Sequence, residues 1–258
     1  MKRALLIVGG IVVLLVVVVG VVVFMTFSGM KPVVDGFEVG GIRIVADGIV
    51  TAAVVPVGAD QVALIDAGND TEGKALLAEL SRRKLGPDAV VAIFLTHGHP
   101  DHIGAVHLFP KAQVMALRPE VAMVEGREGG KGPIAFMMPV SPTGITVSRP
   151  LADGENVMIG DVSVRAFAVP GHTGGSAAYL VNGVLFTGDA AAATSDGHIQ
   201  GSPWLFSDDQ AQDRASLVRL AGQLAQGGTS VTAIAPAHSG VLTDGLTQLE
   251  AYARAQGN

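Results

Sequence analysis

The 258-residue chain contains no cysteine. That absence excludes disulfides and every thiolate zinc site, and it fits a location outside the cytoplasm; any metal must rest on histidine and carboxylate. Basic charge is scarce too. There are 17 Lys and Arg against 23 Asp and Glu, and no Lys/Arg cluster offsets the acidic excess locally. Such a surface repels phosphate backbones, so no nucleic-acid partner is expected. No internal repeat is visible, although strands followed by a helix occur twice. Hydrophobic residues, in contrast, make up 49% of the chain, ample for a sizeable core.

Part of that hydrophobic content is not core. Ala4 to Phe27 carries no charge and is rich in Val, Leu and Ile, interrupted only by Gly9, Gly10, Gly20 and Thr26. As a helix it would reach roughly 36 Å, enough to cross a hydrocarbon layer about 30 Å thick. We expect an N-terminal transmembrane anchor over residues 1–30. A cleaved secretory signal is the alternative, with Lys2 and Arg3 as its positive end, but an h-region of about 7–15 residues is usual and no Ala-x-Ala site follows. Lys2, Arg3 and the amino terminus outweigh Lys31, which places the N-terminus in the cytoplasm and residues 31–258 outside it. Without Lys2 and Arg3, the remaining domain has a formal charge of 15 − 23 = −8.

Gly29 to Gly36, broken by Pro32, reads as a linker. Phe37 to Ala46, Ile49 to Val57 and Gln61 to Asp66 are short β-branched segments separated by Asp47-Gly48 and Gly58-Ala59-Asp60, the pattern of antiparallel hairpins. Ala75, Leu76, Leu77 and Leu80 recur at helical spacing within Thr71 to Lys84. Ala89 to Leu95 is an apolar run of strand length, covered on both faces. A short helix and then a strand are expected from Ile103 to Leu117, and a Gly- and Pro-rich stretch follows from Arg118 to Pro150. Within it, Ile134-Ala135-Phe136-Met137-Met138 reads as core packing, with a substrate lid or membrane contact as alternatives. Later strands are expected at Val157 to Ile159, Val162 to Val169, Ala177 to Val181, Val184 to Phe186 and Val231 to Ala235. Helices are expected at Ser207 to Leu224 and Thr243 to Ala255.

The chemistry concentrates in Thr96-His97-Gly98-His99-Pro100-Asp101-His102, on the loop leaving a buried strand. Alternation puts His97 and His99 on one side of an extended segment, while Asp101 and His102 point elsewhere as the chain turns into a helix. One loop can thus serve two adjacent metals. Three further positions place one ligand-type residue just after an apolar strand, flanked by Gly or Pro: His172 in Pro170 to Ser176, Asp189 in Thr187-Gly188-Asp189, and His238 in Pro236 to Gly240. Alone, each equally suits a structural turn. His107 reads as a ligand-supporting residue or a bystander, His198 as exposed and Trp204 as packed.

Together these residues resemble the metallo-β-lactamase superfamily, whose His-x-His-x-Asp-His, His, Asp, His pattern is matched in order over roughly Phe37 to Asn258. The resemblance implies an α+β fold, a four-layer αββα sandwich with metals at one edge between two sheets. It implies His97, His99 and His172 on one divalent metal, most simply zinc with iron or manganese as alternatives. Asp101, His102 and His238 would hold a second, and Asp189 would bridge them. Asp66 would orient ligands rather than bind metal, with a turn-capping Asp as the alternative. Paired metals about 3.5–4 Å apart can share a hydroxide at neutral pH, so the expected reaction is hydrolysis of a small ester, lactone, thioester or lactam, with Asp101 and Asp189 as catalytic carboxylates. The alternative is a mononuclear iron dioxygenase of sulfur compounds, which shares the first motif. Glyoxalase-II-like members carry a helical domain after the last ligand, which gives them less weight than lactamase and lactonase chemistry.

Overall fold

In the computed structural model the chain divides into two compact units, Met1–Met30 and Lys31–Asn258. The structure describes residues 2–137 and 139–257, without the side chains of residues 2–8, 11, 12, 15, 23 and 136. The first unit is one helix, α1 (Lys2–Phe27). Among the described residues no helix is long and apolar enough to cross a membrane, so the expected transmembrane anchor is not supported. The expectation falls partly on positions outside the described residues.

The second unit holds two mixed sheets. The first, in spatial order, is β1 (Glu38–Val39), β2 (Ile42–Asp47), β3 (Val50–Pro56), β4 (Val62–Ile65), β5 (Val90–Phe94), β6 (Gln113–Leu117) and β7 (Arg149–Leu151). Its first four strands pair antiparallel through short turns, as expected from their spacing, and β4 to β7 run parallel. The second sheet contains β8 (Asn156–Ile159), β9 (Val162–Ala168), β10 (Ala177–Val181), β11 (Val184–Gly188), β14 (Ala233–Pro236) and β15 (Leu242–Thr243), with β15 and β8 at its edges. A separate hairpin joins β12 (Ala191–Ala193) to β13 (Ile199–Gly201).

Three apolar layers make this a four-layer αββα sandwich. Ile44, Ala53 and Phe94 of the first sheet meet Val164, Tyr179 and Phe186 of the second in the central core. The outer face of the first sheet packs on Leu76 and Leu80 of α2 (Lys74–Arg82) and on Ile103 of α3 (Pro100–Ile103). Val124 of the one-turn α4 (Val121–Val124) joins the same layer. The outer face of the second sheet packs on Leu217, Leu220 and Leu224 of α5 (Gln210–Gln226) and on Leu249 of α6 (Gly245–Gln256). Parallel pairing of β4, β5 and β6 brings their C-terminal ends to one edge, and the same edge receives the end of β11 beside β14.

Candidate metal centre

Each ligand-type residue leaves the C-terminal end of a strand or the loop beside it. The loop after β5 carries His97 and His99 and then enters α3, a single turn beginning at Pro100 that holds Asp101 and His102. The helix expected from Ile103 therefore starts earlier, because proline fits the first helical position. A Cβ on Gly98 would lie 2.6 Å from the Val124 backbone nitrogen, so only glycine lets this loop pass α4. Gly188, left-handed at φ 52°, passes equally close to Thr96 and delivers Asp189 to the site.

Three imidazoles converge. His97 Nε2, His99 Nδ1 and His172 Nε2 lie 3.0 to 3.2 Å from one another, close to the ~3.3 Å spacing implied by tetrahedral zinc with nitrogens at about 2.0–2.1 Å. Their outer partners fix which nitrogen holds the proton. Thr96 Oγ1 donates to Asp66 Oδ2 and so accepts from His97 Nδ1; Ser207 Oγ donates to the Pro203 carbonyl and accepts from His172 Nδ1. The inward nitrogens of His97 and His172 are thereby left as lone pairs. Burial holds His97, His99 and His172 below the ordinary histidine range, His172 at about 3, so all three are neutral and suited to ligation.

A second group combines Asp101, His102 and His238. His102 Nδ1 donates to Asp66 Oδ2 at 2.8 Å, and His238 Nδ1 donates to the Ile49 carbonyl at 2.7 Å. Their Nε2 atoms face carboxylates: His102 lies 3.3 Å from Asp189 Oδ1, and His238 lies 3.3 Å from Asp101 Oδ2 and 3.1 Å from Asp189 Oδ2. Asp189 Oδ2 is also 3.5 Å from His172 Nε2, so this carboxylate stands between the two groups. Burial disfavours the charged imidazoles here, but Asp189 and its neighbouring carboxylates outweigh it, raising His102 well above its usual range and His238 to about 10. Burial likewise opposes ionisation of Asp189, yet His238 and His102 hold it well below the usual carboxylate range.

The residues fit divalent metal. His102 Nε2 and Asp189 Oδ1 face each other at 3.3 Å, buried and without a well-formed hydrogen bond to each other or to any other described residue, an expensive arrangement that a bound cation would relieve. Excess carboxylate at Asp101 and Asp189 and lone pairs from the neutral imidazoles complete a donor set suited to zinc, iron or manganese.

The surrounding residues divide into ones the sequence marks and one it does not. Asp66 accepts from Thr96 N, Thr96 Oγ1 and His102 Nδ1, the ligand-orienting position expected of it. Glu120, by contrast, has no motif around it. Buried at 2% exposure, its carboxylate accepts from Gly98 N and Thr173 Oγ1 and so ties the β5 loop to the β9–β10 loop. Burial pushes it up to about 7 despite those donors. His198 is exposed, as expected, and His107, read as a ligand-supporting residue or a bystander, is exposed too. Trp204 is 62% exposed rather than packed, because it opens a one-turn 3-10 helix, Trp204–Phe206, none of whose residues is buried. Met137 is likewise 64% exposed, which corrects the core-packing expectation for that described member of the 134–138 patch.

The family model of the metallo-beta-lactamase superfamily matches residues 46–226, more than half of the chain. The chain belongs to the metallo-beta-lactamase superfamily. Hydroxyacylglutathione hydrolases are among the proteins it is similar to, over part of their length. The match spans Asp66 to Asp189, and His238 lies beyond it. A hydroxyacylglutathione hydrolase of Xanthomonas axonopodis pv. citri (strain 306) is 34% identical over 60% of this chain and 51% of that protein. Metallo-beta-lactamase domain-containing protein 1 of Xenopus laevis is 28% identical over 74% of each. Among solved structures, the BLEG-1 B3 metallo-beta-lactamase superposes with a TM-score of 0.60 at 25% identity, covering 80% of this chain and 95% of that one. The chain spans about half the length of the hydroxyacylglutathione hydrolases it matches.

Proposed function

We propose that this superfamily member hydrolyses small acyl esters and thioesters at a two-metal centre, with lactones and lactams as chemically related substrates. The observation that carries the reading is the convergence of three neutral imidazole nitrogens within 3.0 to 3.2 Å beside a second His and Asp group. Relatives called hydroxyacylglutathione hydrolases bring thioesters to the front of that list.

When bound, divalent metal supplies Lewis acidity and lowers the pKa of water towards about 7. The chain's own residues do the rest. His97, His99 and His172 would hold one ion, Asp101, His102 and His238 the other, and Asp189 would join them. Asp66 and Ser207 hold the inner nitrogens of His102 and His172 as acceptors by taking the outer protons. Asp101 has the most exposed carboxylate of the set, its side chain 25% accessible. Its Oδ2 is therefore placed to accept a proton at the reacting centre and pass it to solvent.

The test is metal analysis and a substrate panel on one preparation. Close to two metals per chain and turnover of at least one ester, thioester, lactone or lactam are expected. At most one iron per chain together with sulfur-dependent oxygen uptake would replace this reading with the dioxygenase.

We also propose that Ala4 to Phe27 tethers the catalytic unit to a membrane, with that unit outside the cytoplasm. Support comes from its 24 uncharged residues and the helical backbone of α1. The full chain should sediment with membranes and resist alkaline carbonate, whereas residues 31–258 should not. Release of the full chain by carbonate would refute the tether.

A further inference from the structure

Beside the centre, between the ligand loop and residues 126–143, lies a cleft enclosing about 500 Å³ of empty space, part of it open to solvent. One wall is Gly98, His99 and Pro100, and the others include Ile103, Met123, Pro139 and Val140. The cleft is held in shape from several directions. Asp208 Oδ1 accepts the N–H groups of Lys131 and Gly132, Thr143 Oγ1 donates to the Val124 carbonyl at 2.7 Å, and Arg127 N donates to the Ala122 carbonyl at 2.8 Å. Its charge is one-sided. Among the described residues lining it there is no Lys or Arg, and apart from the ligand His99 the one ionisable side chain is Glu128. The nearby Arg127 is engaged with Glu125 at 2.7 Å.

A carbonyl placed at the three-imidazole group has His99 beside it, so the part of the substrate next to the reacting carbon falls into this cleft. We propose that the cleft binds the uncharged, apolar acyl chain of the substrate, making this enzyme selective for alkyl thioesters or esters over hydroxyacyl glutathione conjugates. The proposal rests on the hydrolase reading above. A hydroxyacyl glutathione gains little here in either orientation: its acyl group is polar, and its thiol portion is a net anion that would meet Glu128 with no Lys or Arg among the described lining residues. An alkyl chain, in contrast, loses water against Ile103, Met123 and Val140. Each added methylene should raise kcat/KM about fourfold until the cleft is full.

The test uses the full, metal-loaded chain in detergent and N-acetylcysteamine thioesters from acetyl to octanoyl, compared with a hydroxyacyl glutathione. The expected result is a rising kcat/KM with chain length and a lower value for the glutathione conjugate. Val140→Asp should flatten the rise, and Glu128→Lys should narrow the gap to the anionic substrate. A flat chain-length series, a preference for the glutathione conjugate, or an unchanged slope in Val140→Asp would each overturn the acyl cleft while leaving hydrolysis itself intact. Failure to turn over any thioester, ester, lactone or lactam would overturn the hydrolase reading and the cleft with it.

Discussion

Asp66 occupies the left-handed region at φ 58°, which costs a non-glycine residue on the order of 1–2 kcal/mol. The conformation persists because it aims one carboxylate at three donors, Thr96 N, Thr96 Oγ1 and His102 Nδ1. Asp66→Ala removes all three acceptor contacts and frees His102 to turn or change tautomer. Metal affinity should fall about 10–100-fold, measured by competition with a chromogenic chelator; unchanged affinity would mean that Asp66 only caps its turn. Glu120 acts by another route, since it joins two loops rather than orienting one ring. Glu120→Ala strands the buried Gly98 N–H, at about 1–3 kcal/mol for such a group, and should lower the melting temperature. Glu120→Gln keeps an acceptor there and should restore most of that loss. His97, His99, Asp101, His102, His172, Asp189 and His238 were legible because their residue types and their Gly and Pro neighbours are unusual. Glu120 was not, because its two partners are distant in sequence and a Glu at a helix start is ordinary.

Helix α5 shows how an element can be legible and its ends not. Its apolar positions Leu217, Leu220 and Leu224 announce a helix facing the second sheet. Its start at Gln210 rather than Ser207 follows from which acidic residue caps it: Asp209 accepts from Ala211 N and Gln212 N, while Asp208 is turned towards Lys131 and Gly132. The same reason shifts α2, where the Asp70 carboxylate takes the Glu72 and Lys74 N–H groups before Lys74 opens the helix. Strands β1, β7, β12, β13 and β15 are two or three residues long, too short for alternation to register. One turn into α5 lies Asp213, 1% exposed, with Oδ2 accepting from Ser202 N at 2.9 Å and Oδ1 without a partner among the described residues. Burial raises it from 3.8 to about 7. The folded state therefore binds a proton that the unfolded state has already lost between those values, and stability falls as pH rises through that window. Asp213→Asn keeps the group neutral throughout. Its melting temperature should match the wild type near pH 4 and exceed it progressively up to about pH 7, and a pH-independent difference would refute the buried-acid account.

At the scale of the whole catalytic unit, the centre joins the two sheets. His97, His99, Asp101 and His102 follow β5 of the first, whereas His172, Asp189 and His238 follow strands of the second. The sandwich itself was legible only through the family resemblance that the ligand motifs carry, with strands then helix occurring twice in keeping with it; the meeting of these two edges was not, since it depends on Thr51 N donating to the Ala237 carbonyl and on similar contacts far apart in the chain. Metal bound across the edge stabilises the fold by mass action, about 4 kcal/mol at a thousand times its Kd, so chelation should lower the melting temperature. The size of that drop should depend on pH. Without metal, His238 holds a proton between Asp101 and Asp189, its pKa raised from 6.5 to about 10 despite burial. A raised histidine contributes stability that is fully present below 6.5 and lost as pH rises through about 10. The metal-free protein therefore weakens over that interval, while the loaded protein has exchanged the proton for metal charge and does not. Melting curves with and without chelator should diverge steadily from pH 6.5 to pH 9, and metal binding at neutral pH should release protons that buffer-dependent calorimetry can count. A constant gap and no proton release would mean that His238 is not a ligand, leaving the three imidazoles of the first group as the centre.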